Sequence, residues 1–251
     1  VAAFLAAVAG LPAAAAATRH ASVQQKEGAI MSAPELESHS EEFSVLIETG
    51  ARLRKLKGEF RFLEGPVWVP WAGGLLFSDI PADRIYRWNE DEGVSVWREP
   101  SHHANGNTLD AQGNLVTCEH GSRRVTRTTP DGTLTVLADA FDDRRLNSPN
   151  DAVVQRDGTL WFTDPPYGIK PDEAELPGHY VFRLETDGSL HVVADDFDRP
   201  NGLCFSPDEK TLYIADTADD RHHIRRFRVT PEKTLRDDGV FAVIDPGKSD
   251  G

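Results

Sequence analysis

The chain has 251 residues, with 27 Lys and Arg against 41 Asp and Glu, so its formal net charge is −14. This length suits one or two domains, and an apolar content of 39 % argues against general disorder. The acidic balance argues against nucleic acid, whose phosphates attract clustered Lys and Arg. The composition therefore indicates a globular protein whose ligand is a cation or a small neutral molecule.

The N-terminal segment is typical of a secretory signal. Residues 1–17 carry no charge, ten of them are Ala, and the first charged residue is Arg19. An apolar run that ends in small residues predicts export with cleavage after Ala17, and a disordered Ala-rich tail is the alternative. Residues 18–43 are polar and predict a linker. We therefore expect the folded part at 44–251, beginning with a strand-like run near Ser44.

Four kinds of short strand recur in a fixed order along the rest of the chain. The first kind follows or contains an acid or amide, at 64–70, 104–111, 149–155 and 200–206. The second follows a turn, at 73–79, 113–119, 158–164 and 210–216. The third carries basic residues, at 84–89, 123–128, 179–184 and 223–229. The fourth is apolar, at 94–99, 134–141, 190–197 and 239–245.

Four short strands within each 40 to 50 residues are the signature of a β-propeller blade. A β-sandwich would space its strands evenly but would show no internal order of four. The residues that open each unit are separated by 41, 45, 51 and 49 positions, and they are Glu64, Asn105, Asn150, Asn201 and Asp250. The repeat therefore predicts an all-β propeller with about four complete blades, and a fifth unit opening at Asp250. We expect the chain to be truncated, with one or two further blades in the natural product.

The same five positions predict a metal site. First strands line the central channel of a propeller, so equivalent positions converge on its axis. Two carboxylates and three amide oxygens without a soft ligand suit Ca²⁺, Mg²⁺ or Mn²⁺ rather than structural zinc. The alternative is that Asn-Gly and Asp-Gly are simply common turn dipeptides.

Several longer motifs resemble the SMP-30/gluconolactonase family, in particular its bacterial gluconolactonases. They are EGPVW at 64–68, ANGNTLD at 104–110, CEHGSRRVTR at 118–127, RLNSPNDAVV at 145–154, DGTLWFTDPPYG at 157–168 and RPNGLCFSPD at 199–208. The resemblance covers about residues 50–251. It implies a six-bladed propeller, one divalent metal in the channel, and hydrolysis of sugar lactones such as glucono-1,5-lactone. Together with the signal-like segment, it implies a periplasmic protein.

The resemblance also assigns residues. The implied metal ligands are Glu64, Asn201 and Asp250, with Asn150 facing both the metal and the substrate. Asp250 is the implied catalytic acid/base. Some relatives carry Arg two positions before the Asn150 equivalent, where this chain has Ser148, a position expected to contact substrate. Ca²⁺ is the expected metal, with Mg²⁺, Mn²⁺ or Zn²⁺ as alternatives.

The lactonase interpretation agrees with the available residues. A lactone carbonyl is an activated electrophile, so a Lewis acid and a general base for water suffice. No GxSxG, HExxH or P-loop pattern occurs. The alternatives are a propeller hydrolase for another lactone or an organophosphate, and a non-catalytic propeller that binds a sugar or a protein. The expected partner is a sugar lactone, with no nucleic acid and no membrane after signal removal.

Other residues are weaker candidates for the site. Asn105 and His102 lie near the channel mouth and are expected to contact a sugar hydroxyl, with solvated loop histidines as the alternative for His102 and His103. Tyr167 is the candidate for stacking on a sugar face. Glu119 and His120 are candidates for contacts at the rim.

The remaining expectations are structural. Arg123 and Arg124 predict salt bridges, and the strand tryptophans, Trp68, Trp88, Trp97 and Trp161, predict core packing. Cys118 and Cys204 are expected to be buried free thiols, with a single bridge between them as the alternative.

Overall fold

The computed structural model describes residues 54–250, together with Glu41 and Val45. The chain divides into two compact units, and Phe60–Gly251 belong to the second. In the first unit, residues 54–59 form neither helix nor strand. The predicted signal at 1–17 and the linker lie outside the described residues, apart from Glu41, so they stay predictions. Most of the expected strand near Ser44 also lies outside them.

The second unit contains four four-stranded antiparallel sheets, each a meander in chain order. We refer to them as blades 1 to 4. Blade 1 contains β1 (Leu63–Val69), β2 (Gly74–Asp79), β3 (Arg84–Asn89) and β4 (Gly93–Arg98). Blade 2 contains β5 (Ala104–Leu109), β6 (Leu115–Glu119), β7 (Arg124–Thr128) and β8 (Leu134–Ala138).

The other two blades follow a short ribbon of β9 (Ala140–Phe141) and β10 (Arg144–Arg145). Blade 3 contains β11 (Ala152–Val154), β12 (Leu160–Asp164), β13 (Tyr180–Leu184) and β14 (Leu190–Ala194). Blade 4 contains β15 (Pro200–Phe205), β16 (Thr211–Ala218), β17 (Arg221–Val229) and β18 (Leu235–Val243). Three short 3₁₀ helices cover Pro70–Ala72, Ile80–Ala82 and Pro171–Glu173. The predicted four-strand order is confirmed, and within residues 54–250 no helix is long and apolar enough to cross a membrane.

The core lies between consecutive blades. Blades 1 and 2 share a cluster that includes Val69, Leu76 and Leu115, all fully buried. Blades 2 and 3 share a second cluster around Val116 and Phe162. A third cluster joins blades 3 and 4, and it includes the fully buried Trp161 together with Leu212, Ile214 and Phe227. A side chain of this size gains roughly 1.5–3 kcal/mol on full burial, so these interfaces hold the blades together.

Two structural expectations need correction. Trp161 is a core residue as predicted, but Trp68 is 45 % exposed because it alternates with the buried Val69 on β1.

Both cysteines are free, and Cys118 is buried as predicted. Cys204, however, is exposed, because it lies on the outward face of β15. The predicted salt bridges are confirmed: Arg124 Nε lies 2.7 Å from Glu119, and Arg123 Nη1 lies 3.6 Å from Glu175.

Candidate active site

The backbones of consecutive blades touch at their first strands. The Gly106 N–H donates to the Asn150 carbonyl oxygen at 2.8 Å. A Cβ atom added at Gly106 would lie 2.5 Å from that oxygen, and one added at Gly65 would lie 2.2 Å from the Asn105 carbonyl oxygen. Glycine therefore follows the site residue because the next blade leaves no room for a side chain.

These glycines do not form turns. Gly65, Gly106 and Gly202 lie inside β1, β5 and β15, so the turn-dipeptide explanation is wrong for three of the five repeats. The register with the second strand shifts at the same place in these blades, between Glu64 and Val67, Ala104 and Asn107, and Pro200 and Leu203. Such β-bulges redirect side chains, and they commonly lie next to functional sites.

Asn107 ties blade 1 to blade 2, and the sequence analysis did not identify it. Its amide nitrogen donates to the Gly65 carbonyl at 3.0 Å and to the Ser78 hydroxyl at 2.8 Å. Its amide oxygen accepts the Thr117 hydroxyl at 2.9 Å. The side chain is 7 % exposed. The signal available in the sequence was an amide at the second position after Asn105, inside a predicted strand. If buried, such a group needs specific hydrogen-bond partners.

Three carboxylates interact at the inner ends of blades 1, 3 and 4. Burial, followed by the charges of Asp250 and Asp151, raises the pKa of Glu64 to about 8. Burial is the largest cause that raises the pKa of Asp151 to about 6, and the charge of Asp250 adds to it. Hydrogen bonds from the backbone amides of Ala152 and Leu203 act in the opposite direction. The structure therefore brings the predicted Glu64 and Asp250 into one electrostatic cluster.

Asp151 joins this cluster and was not predicted. It occupies the repeat position that is glycine in the other units, which was the signal that could have identified it. Its carboxylate lies against the neighbouring blade, since a Cβ atom at Gly106 would lie 2.6 Å from Asp151 Oδ1. Desolvation of a carboxylate beside like charges favours binding of a proton or a cation.

Asn201 lies beside Tyr167 on the blade 4 side of the site. Burial is the largest influence on the Tyr167 pKa and raises it, while hydrogen-bonding contacts with the side chains of Thr217 and Asn201 oppose the shift. The Arg199 guanidinium lies 5.9 Å from the centre of the Tyr167 ring. The ring is 38 % exposed, so stacking of a sugar on it stays a prediction.

Asp250 is exposed, but the residue before it is firmly held. Ser249 is 4 % exposed, and its hydroxyl donates to the Asp216 carbonyl oxygen at 2.9 Å. The Ser249 carbonyl accepts the Thr217 hydroxyl at 2.7 Å. Blade 4 therefore places Asp250 near Glu64, Asp151 and Tyr167.

Ser148 and Asn150 lie on the blade 3 side and are both buried. The Ser148 hydroxyl donates to the Pro165 carbonyl at 2.6 Å and accepts the Gly168 N–H at 2.8 Å. These contacts hold the turn that carries Tyr167. The role of Ser148 in binding substrate stays a prediction. The predicted contact of His102 with a sugar hydroxyl also stays a prediction; this residue is exposed and has a positive φ of 58°.

Asn105 pairs with His120 in the interior of blade 2. The Asn105 amide nitrogen lies 3.1 Å from His120 Nε2, and the two residues are 4 % and 6 % exposed. Burial, together with the charge of His103, lowers the pKa of His120 to about 4. A neutral imidazole can accept the amide N–H, which fixes the Asn105 side chain.

This pair predicts a pH effect on stability. The folded protein holds His120 neutral down to about pH 4, whereas an unfolded histidine binds a proton near its ordinary value of 6.5. The contribution of His120 to stability is therefore present above pH 6.5 and is lost as the pH falls towards 4. We expect His120→Gln to flatten the dependence of the melting temperature on pH between 6.5 and 4. An unchanged slope would contradict the shifted pKa.

Within residues 54–250, no group of three or more His, Cys, Asp and Glu side chains is arranged to hold a metal ion. The predicted ligand set differs from such a group, because two of its four members are asparagines. Asn150 and Asn201 are buried at the inner ends of blades 3 and 4, and Glu64 and Asp250 interact electrostatically.

Most of the chain matches the sequence model of one protein family. Residues 62–251 match the family described as the SMP-30/Gluconolactonase/LRE-like region. The chain belongs to the SMP-30/gluconolactonase family. The matched residues contain all four blades and the predicted site residues, so the resemblance stated from the motifs is confirmed.

Three relatives of this SMP-30/gluconolactonase chain illustrate the match. The gluconolactonase of Zymomonas mobilis is 33 % identical over 196 residues, which cover 71 % of this chain and 55 % of that protein. The structure of a gluconolactonase from Xanthomonas campestris is 42 % identical with a TM-score of 0.72, covering 78 % of this chain and 67 % of that one. A calcium-binding protein, regucalcin from Agrobacterium tumefaciens, is 19 % identical with a TM-score of 0.58, covering 73 % and 61 %.

These comparisons support the propeller fold. The regucalcin likeness shows the fold alone, because its identity is low. The chain spans about half the length of the curated gluconolactonase that it matches.

Proposed function

We propose that this protein hydrolyses sugar lactones with the help of a divalent metal ion. The observation that carries the proposal is the cluster in which partial burial, followed by the charges of Asp250 and Asp151, raises the pKa of Glu64 to about 8. The gluconolactonases among its relatives, at 33 % and 42 % identity, support the same substrate class.

The donor set fits a hard divalent cation. Glu64 and Asp250 would supply carboxylate oxygens, and Asn150 and Asn201 would supply amide oxygens. A cation among these groups would offset both the burial and the repulsion that raise the Glu64 pKa. Oxygen donors of this kind suit Ca²⁺.

When bound, the cation supplies Lewis-acid polarisation of the lactone carbonyl. Asp250 then takes a proton from water as the water oxygen bonds to the carbonyl carbon. As the ring C–O bond breaks, Asp250 gives this proton to the ring oxygen, and the product is the open hydroxy acid. Asn105 and Asn150 are proposed to hold the lactone by hydrogen bonds, and Tyr167 is proposed to contact its sugar face.

The test is the rate of glucono-1,5-lactone hydrolysis above its spontaneous background, measured with the full-length gene product. We expect EDTA to abolish the enzymatic rate and added Ca²⁺, Mg²⁺ or Mn²⁺ to restore it. A chelator-resistant rate would contradict the metal requirement. A folded, metal-loaded protein without turnover would contradict the lactonase, and other lactones and organophosphates would then be assayed, followed by sugar and protein binding.

A further inference from the structure

A buried acidic side chain lies at the end of the second strand in blades 1, 2 and 3, and two residues before its end in blade 4. These residues are Asp79, Glu119, Asp164 and Asp216, each 1 % exposed or less. Burial of a carboxylate is costly unless hydrogen bonds compensate it. The partners of these four acids therefore indicate what each one does.

Asp216 holds the backbone immediately before Asn201. Its Oδ1 accepts the Arg199 N–H at 2.9 Å, and its Oδ2 accepts the Asp198 N–H at 3.2 Å. The two amides lie two and three positions before Asn201. Asp216 also accepts the Ser249 hydroxyl through its carbonyl oxygen at 2.9 Å. One residue therefore holds the chain next to two proposed metal ligands.

Asp79 makes the equivalent contacts in blade 1. Its Oδ1 accepts the Phe62 N–H at 3.2 Å, and its Oδ2 accepts the Arg61 N–H at 3.1 Å. These amides again lie two and three positions before the site residue, Glu64. The same geometry in blades 1 and 4 shows that the contact belongs to the repeat.

Asp164 repeats the pattern in blade 3. Its Oδ2 accepts the Asn147 N–H at 2.8 Å, and the Ser148 amide also contacts this carboxylate. Asn147 adds a side-chain bond to the Asp164 carbonyl at 3.1 Å. The held segment ends two positions before Asn150.

Blade 2 departs from the pattern. Glu119 has a longer side chain and contacts side chains instead, those of Ser122, Arg124 and Thr126. The segment before Asn105 is held by Asp83, whose Oδ1 accepts the His103 N–H at 2.7 Å and the Ser101 N–H at 3.1 Å. Blade 2 carries Asn105, which is outside the proposed metal set.

We propose that Asp79, Asp164 and Asp216 are positioning residues that orient Glu64, Asn150 and Asn201 through the two backbone amides before each of them. This inference rests on the proposed metal site. In blades 1 and 4, a pair of charge-assisted bonds fixes the backbone where it enters the bulged first strand, so the site residue that follows points in one direction. In blade 3, the Asn147 N–H and the Ser148 amide make the corresponding contacts with Asp164. Groups that orient ligands in this way typically account for a 10- to 100-fold effect on metal affinity or activity.

Asp216→Asn is the direct test, because asparagine keeps the shape of the side chain but sets an NH₂ group against one of the two N–H groups. We expect the Kd for Ca²⁺, measured by calorimetric titration, to rise about 10- to 100-fold. Hydrogen exchange should accelerate by about tenfold or more at whichever of the Asp198 and Arg199 amides faces the NH₂ group, since that amide loses its buried acceptor. The kcat/KM for glucono-1,5-lactone should fall with the affinity.

Glu119→Gln is the matched control. It changes an equally buried acid at the same strand position, but one without backbone amide partners before a proposed ligand. We expect a lower melting temperature with an unchanged Kd for Ca²⁺. If Asp216→Asn does not fold, Asp79→Asn and Asp164→Asn provide the same test in blades 1 and 3.

The outcomes are distinct. Faster amide exchange without a change in Kd would overturn the positioning role and leave only a structural one. A Kd that rises equally in Glu119→Gln would overturn it as well. If the wild-type protein hydrolyses no lactone, the proposed function fails, while the Ca²⁺ titration still decides this inference. If the wild-type protein binds no Ca²⁺, the proposed metal site fails and this inference fails with it.

Discussion

Replacing Asp250 by asparagine is expected to lower kcat for lactone hydrolysis by ~10²–10⁴-fold, the usual range for loss of a general base. The amide cannot take the proton from the attacking water, although its size and its oxygen are retained. The KM should change less, because Asn105, Asn150 and Tyr167 are still in place to contact the lactone. Rates of the wild-type and variant proteins at saturating Ca²⁺ separate the loss of the base from weaker metal binding.

The matched control for this variant is Asp187→Asn. Asp187 lies in an exposed turn of blade 3, where it accepts the Ser189 N–H at 2.9 Å. We expect its kcat to equal that of the wild type. Full hydrolysis by Asp250→Asn would show that the base has been assigned to the wrong residue. A variant that binds the lactone without turnover would support the assignment.

Replacing Gly65 by alanine is expected to cost about 3 kcal/mol or more of unfolding free energy. The residue has a φ of +55°, which disfavours any L side chain, and its Cβ atom would lie 2.2 Å from the Asn105 carbonyl oxygen. The first effect costs roughly 1–2 kcal/mol, and overpacking typically adds about 1–3 kcal/mol. Because the obstacle is backbone, blades 1 and 2 must separate locally to admit the methyl group.

Gly113→Ala separates the two effects. Gly113 has a φ of +79°, but an added Cβ atom would meet nothing within 4 Å. We expect it to cost about 1 kcal/mol, the conformational part alone. Urea unfolding of both variants measures the difference. Equal losses would contradict the close approach of the two blades, and a larger loss for Gly65→Ala would support it. We also expect Gly65→Ala to weaken Ca²⁺ binding, because Glu64 is its neighbour.

Local patterns in the sequence determined the strands. Turn residues and the fixed order of four kinds of strand predicted all sixteen blade strands to within a few residues. The strand pattern is a local property, because each antiparallel meander pairs segments that follow one another along the chain. The repeat also marked Glu64, Asn105, Asn150 and Asn201 as equivalent positions. All of these except Asn150 lie at a β-bulge, which occurs at the corresponding place in blades 1, 2 and 4.

Exposure of single side chains was decided by the tertiary structure. Cys204 and Trp68 lie in strands whose hydrophobic residues suggested burial, yet both are exposed because burial depends on which face meets the neighbouring blade. Periodicity assigns a residue to a face of its strand. It does not say how far the next blade extends over that face.

The site shows the same division. The sequence by itself determined the repeat, the family and the candidate acids and amides of the first strands. Only the tertiary structure placed Asp151 beside Glu64 and Asp250, and only it aimed Asp79, Asp164 and Asp216 at the amides before the site residues. The physical reason is distance along the chain. These carboxylates acquire a shifted pKa or a backbone partner from residues that are 16 to 186 positions away, and no local pattern encodes such contacts.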